Sequence, residues 1–126
     1  MNIQCPVSLG ELVDKISILK IKTKMIDDKK KVELAQNEHD QLMTSLSALK
    51  LDGIESYLDE LESVNTELWK IEDDIREEER NSRFGEVFVE LARSVYRTND
   101  RRFAVKNRIN DFYGSGIKEV KSYEEY

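Results

Sequence analysis

The chain has 126 residues and a net charge of −6, with 37% Asp, Glu, Lys and Arg against 39% apolar residues, five Gly and one Pro. That balance favours long amphipathic helices in one domain over residues 1–126, and the acidic sum argues against nucleic-acid or anionic-membrane binding. No run of 18 apolar residues is present, Met1–Pro6 lacks the basic and apolar stretches of a secretion signal, and the lone Cys5 leaves no internal disulfide. No membrane insertion is expected, and a cytoplasmic location is the plain reading.

A first helix over 9–26 starts at a capping box, Ser8-Leu9-Gly10-Glu11, with Val7 and Leu12 at the spacing of a hydrophobic staple. Its apolar seam reads Leu9, Leu12, Ile16, Leu19, Thr23, Ile26. Extending that seam past Asp27 and Asp28 meets Lys30, Glu33, Asn37 and Asp40, whereas the real stripe restarts as Val32, Ala35, His39, Leu42, Leu46, Leu49. The phase slips, so a turn capped by Asp27 or Asp28 separates a second helix over 28–50.

Asp52-Gly53 punctuates the middle of the chain. A third helix over 54–80 follows, with the seam Tyr57, Leu61, Val64, Leu68, Ile71, Ile75. After the loop Asn81–Gly85, a fourth helix over 86–113 ends at Gly114-Ser115-Gly116, leaving a tail of 117–126. The expected fold is all-α, an antiparallel bundle of three to four long amphipathic helices with a short C-terminal tail.

The last two helices carry opposite charge. From Glu55 to Arg80 there are eleven acids and three bases, a net of −8; from Arg93 to Arg108 there are six bases and one acid, a net of +5. Side by side they would form surface ion pairs.

The fourth helix also carries a seam that turns polar midway: Phe88, Ala92, Val95, Asn99, Arg102, Lys106, Ile109, Tyr113. Ionised groups on a burying face cost several kcal/mol unless partnered, so something must face them. On the third helix a second stripe, Asn65, Trp69, Glu72 and Arg76, flanks the apolar seam. These residues with Asn99, Arg102 and Lys106 would line a polar pocket beside Trp69, or Glu72 would clasp Arg102 or Lys106 with no ligand. A small rotation of the fourth helix would instead bury Leu91, Val95, Thr98, Arg102, Val105, Ile109 and Phe112, leaving Asn99 and Lys106 at the rim.

Other chemistry is thinly signalled. Glu11 and Asp14 stand one helical turn apart, a spacing that can hold Mg²⁺ near a phosphate, although the capping box already accounts for Glu11. His39 has no nucleophile placed to complete a catalytic set, and one Cys with one His makes no zinc site, so no metal or other cofactor is expected. The basic run Arg93, Arg97, Arg101, Arg102, Lys106, Arg108 with Tyr96 and Phe103 would suit RNA, but the acidic third helix competes with phosphates.

Several strings together resemble a family of short, uncharacterised bacterial and phage proteins. They are Val7–Lys15, Val64-Asn65 with Leu68-Trp69, Ile71–Asp73 and Ile75-Arg76, then Glu90–Arg93, Val95-Tyr96, Asn99-Asp100, Arg102 and Lys121–Tyr123. Members of that family are often encoded near glycosyltransferase and surface-polysaccharide genes, which implies a role in envelope glycan assembly. The resemblance also brings Asp73, Tyr96 and Asp100 to the candidate set, with Glu11, Asp14, Lys15 and Lys121 as a second tier.

The favoured expectation is a non-catalytic binding or interaction module. Its cationic face between the third and fourth helices would hold an anionic small molecule or a partner's acidic segment. Arg76, Arg102 and Lys106 would act as donors, with Trp69 and Tyr96 as walls. The alternative is a small enzyme on a phosphorylated or anionic metabolite, Mg-dependent in one version, using Glu72, Asp73 or Asp100 as base or metal ligand. A homodimer is a third expectation, since thin seams often finish their cores against another chain.

Overall fold

The computed structural model of residues 1–126 is a bundle of four helices with no strand: α1 (Leu9–Met25), α2 (Lys29–Ala48), α3 (Ile54–Arg80) and α4 (Glu86–Tyr113). Residues 115–126 have no regular structure and lie against the bundle. Successive helices reverse direction. α1 touches every other helix, α2 packs on α1 alone, and α3 and α4 pack on each other as well as on α1.

Local chemistry sets the helix ends. Ser8 Oγ accepts from the Glu11 N–H at 3.1 Å and caps α1, but the Glu11 carboxylate turns to Lys106 instead of closing the box. Asp28 Oδ1 accepts from the N–H groups of Lys30 and Lys31, at 3.0 and 3.2 Å, and caps α2 where the hydrophobic phase slips. Gly53 enters α3 at φ +80°, a left-handed conformation suited to glycine, and the Tyr113 hydroxyl donates to the adjacent Asp52 carbonyl at 2.6 Å.

α1 departs from the one-sided seam read along it. Val13, Asp14, Ile16, Ser17, Leu19 and Ile21 are all buried, because three helices surround it. Buried positions spread over more than one face suit a helix at the centre of a bundle. The main core joins Val13 and Ile16 to Leu46 of α2, Ile54 and Leu61 of α3, and Val105 and Ile109 of α4. On α4 the buried positions are Thr98, Val105, Lys106, Ile109 and Asn110, so the helix presents neither of its two expected stripes intact; Phe112 is exposed.

The approach of α1 to α4 is close at one residue. A Cβ on Gly10 would lie 2.6 Å from the Lys106 carbonyl oxygen, inside any normal contact. The Gly10 N–H donates to the fully buried Asn110 Oδ1 at 2.7 Å. Glycine thus lets the two backbones meet where the polar part of α4 crosses α1. Further out, α3 and α4 continue past the end of α1 as a two-helix hairpin, and no residue from 66 to 97 is buried. No helix is long and apolar enough to cross a membrane.

Candidate functional site

Helix α1 supplies the groups that face the cations of α4. Arg102 grips Asp14 through two bonds, Nε to Oδ1 at 2.8 Å and Nη2 to Oδ2 at 2.5 Å. Asp14 is 1% exposed. The Asn65 amide donates to Asp14 Oδ1 at 2.9 Å and to Ser17 Oγ at 2.8 Å, while the Ser17 hydroxyl donates to the Asp14 carbonyl at 2.7 Å. Three bonds therefore reach the carboxylate, the kind of partnering a buried charge needs. Its hydrogen bonds hold the Arg102 guanidinium above its ordinary pKa, against the opposing pull of burial.

Lys106 is 5% exposed and carries two carboxylates, Glu11 of α1 at 2.8 Å and Glu119 of the tail at 2.7 Å. Burial alone would lower its pKa, but the bonds to Glu11 and Glu119 outweigh that and raise it. The expected clasp between Glu72 and Arg102 or Lys106 is absent. Glu72 instead bonds Arg76, one turn along its own helix, because α1 stands closer to the polar part of α4 than that flank of α3 does.

The tail runs back along α4 and continues this chemistry. Ser115 Oγ accepts from the Leu9 N–H at 3.4 Å. Lys121 Nζ lies 3.5 Å from Asp100 and 4.9 Å from the Phe103 ring centre. The Tyr126 hydroxyl donates to Asp100 Oδ2 at 2.5 Å, a bond that raises its pKa, and its ring meets Tyr96 edge-on at 5.1 Å. Between tail, α4 and Glu11 lies an open cleft of about 1200 Å³.

A second, smaller cavity of about 330 Å³ opens between α1 and α3. Trp69, Asn65, Glu72, Asp73 and Arg76 line it together with the apolar Ile18, Ile21 and Leu68. The candidate residues thus divide between two places. Asn65, Trp69, Glu72, Asp73 and Arg76 face the small cavity; Tyr96, Asn99, Asp100, Lys106, Glu11 and Lys121 face the tail cleft; Arg102 borders both. Asp14 lies buried beneath Arg102, and Lys15 belongs to neither, pairing with Glu38 of α2 at 2.9 Å. The single pocket expected beside Trp69 does not form with Asn99 and Lys106.

Glu11 and Asp14 serve different cations, and no three His, Cys, Asp or Glu side chains converge to hold a metal ion. The other bases of α4 meet acids as well: Arg97 meets Glu90 at 3.2 Å, Arg101 meets Glu67 at 2.8 Å, and Arg108 meets Glu60. His39 is half-buried beside Asp40. Sequence reasoning missed Glu119, Ser17 and Tyr126, and placed Phe103 only in the RNA-like basic run. Of these, only Ser17 carried a local signal, lying one turn after Asp14 on the same face.

A family model matches residues 3–126. The chain belongs to the family of unknown function DUF6165. The match takes in all four helices and the tail, so both clefts lie within the family's extent. No curated protein and no solved structure matches the chain.

Proposed function

We propose that this chain is a non-catalytic binding module whose α4 cleft holds an acidic segment of a partner protein, with its own tail as the occupant at rest. Lys106 is the observation that carries the reading. A lysine this buried needs its carboxylates, and one of the two, Glu119, comes from a segment with no regular structure. An incoming acidic segment can replace Glu119 without leaving Lys106 unpaired. The rest of the cleft suits a peptide: Tyr96 and Phe103 offer ring faces and edges, and Asp100 accepts from a hydroxyl or ammonium, as Tyr126 and Lys121 now use them. The resemblance to proteins encoded beside surface-polysaccharide genes makes a component of envelope glycan assembly the first partner to try.

An enzyme on an anionic substrate would need cations free to meet it. Arg102, Arg76 and Lys106 are each paired with carboxylates of the chain itself, which favours the binding reading.

The test uses a chain ending at Ile117, which keeps all four helices and every residue of the core. A synthetic peptide of residues 115–126 should bind it saturably and should not bind the full-length chain, whose own tail already engages Lys106 and Asp100. Lys106→Met in the shortened chain should abolish the binding. Inorganic phosphate, titrated alongside, separates a peptide seat from a simple anion seat. A folded, shortened chain that ignores the peptide would refute the proposal.

A further inference from the structure

We infer that the cavity beside Trp69 is a separate binding site, and that it takes a small organic cation of the alkylammonium class. The cavity, of about 330 Å³, is at the lower end of small-ligand sites and is walled by Ile18, Ile21, Leu68 and the indole of Trp69. What it offers beyond apolar wall is mainly hydrogen-bond acceptors. Asn65 is 5% exposed and spends both amide hydrogens, one on Asp14 and one on Ser17. An ionised Asp14 can only accept, so the nitrogen of Asn65 must face it, and the Asn65 carbonyl oxygen is left with no protein partner. Asp73 has no ion pair and no hydrogen bond, and it stands one turn from Trp69 on the same face of α3.

The two arginines at the cavity are already engaged, Arg76 by Glu72 and Arg102 by Asp14. Counting Asp14 beneath, the site holds three carboxylates against two guanidinium groups, so its local charge is −1. The surrounding helix adds to the field, with a net of −8 from Glu55 to Arg80. A negative cavity with a tryptophan wall, a free carboxylate and a free carbonyl favours a ligand that is positively charged, donates hydrogen bonds and has an apolar body. The ammonium group would sit at Asp73 against the Trp69 face, with its alkyl part toward Ile18 and Ile21. This site shares only Arg102 with the tail cleft, and neither proposal needs the other.

Trp69 is the only tryptophan of the chain, so its fluorescence reports on this cavity alone. The full-length protein would be titrated with butylammonium chloride at constant ionic strength, with 1-butanol as the uncharged counterpart and glucose as a neutral hydroxyl donor. Butylammonium should change the Trp69 emission saturably, and the other two should not. Asp73→Asn should weaken butylammonium about tenfold, the scale of a partly desolvated cation–π and carboxylate contact. Asp73 is exposed and unbonded, so helix content and melting temperature should stay at wild-type values in that variant. An unsaturable response, equal binding of butanol or glucose, or unchanged affinity in the folded Asp73→Asn variant would each overturn the inference.

Discussion

Arg102 and Arg108 lie six residues apart on α4, and each meets one carboxylate from another helix. On the face toward α1, Asp14 is 1% exposed and the side chain of Arg102 26%, with Asn65 and Ser17 completing the shell. On the face toward the edge of α3, the side chains of Arg108 and Glu60 are 55% and 42% exposed, with water free to take either partner's place. The charges are the same in both pairs, although Arg102 makes two bonds to Asp14 and Arg108 one to Glu60. What differs is what remains when one member is removed: a stranded charge in the first case, a solvated one in the second. The two pairs therefore rank the polar contacts of the whole bundle.

The largest effect is expected at the buried pair. Arg102→Met should destabilise the protein by about 3–5 kcal/mol in urea unfolding, since it leaves Asp14 ionised and enclosed. Adding Asp14→Asn should recover a good part of that loss, because the stranded charge is gone while Asn65 and Ser17 keep a polar neighbour. A double variant as unstable as Arg102→Met alone would mean that the arginine acts through packing.

Next comes the contact that brings the two helices together. Gly10→Ala puts a Cβ against the Lys106 backbone, which has no flexible end to move. The cost should be about 1–3 kcal/mol, as for overpacking elsewhere, read as a lower melting temperature. The same variant should weaken tail docking, because Lys106 and Asn110 shift with the α4 backbone. A glycine at the centre of the polar crossing thus belongs to the site as much as to the fold.

The sequence made the architecture legible where one helix sufficed to read it. The break in phase at Asp27-Asp28, the Asp52-Gly53 turn and the Gly114 stop all concern neighbours a few residues apart, and a local rule covers each. The anomaly on α4 was legible too, since Arg102 stands on a burying face in either register and Lys106 in one of them. Their partners were not. Charge alone points to α3, with its net of −8, yet the carboxylates come from Asp14 and Glu11 on α1 and from Glu119 in the tail. Which helix lies nearest depends on Gly10 allowing close approach, and glycine carries no pattern that announces a contact 96 residues away in the chain at Lys106. The candidate set divides in two for the same reason: Asn65 and Asn99 are each on the correct face of their own helix, but α1 stands between those faces.

A smaller effect should mark the tail. The pKa of Tyr126 is raised by its bond to Asp100, and that of Lys106 by Glu11 of α1 together with Glu119 of the tail, from ordinary values of 10.0 and 10.5. A raised folded-state pKa contributes stability that is complete below the unfolded value and is lost as pH rises through the folded value. Tail docking should therefore be flat from pH 7 to about 10 and weaken only above it, as Tyr126 ionises and Lys106 loses its charge. Side-chain NMR of Tyr126 and Lys106 would follow the two steps. Release near neutral pH would mean that carboxylate titration governs the tail instead.

The smallest effect belongs to the outer face of α4. Arg108→Ala removes a pair to Glu60 that water already screens, so the loss should be at most about 1 kcal/mol and should shrink in high salt. Val105 and Ile109, its neighbours on the core side, are untouched by the change. If Arg108→Ala instead cost as much as Arg102→Met, exposure could not be what separates the two pairs. The acidic surface of α3 would then be holding α4 through the summed field of its carboxylates, and lowering that field with Glu67→Gln should cost nearly as much, because Glu67 is the next acid along the same edge to meet a base of α4.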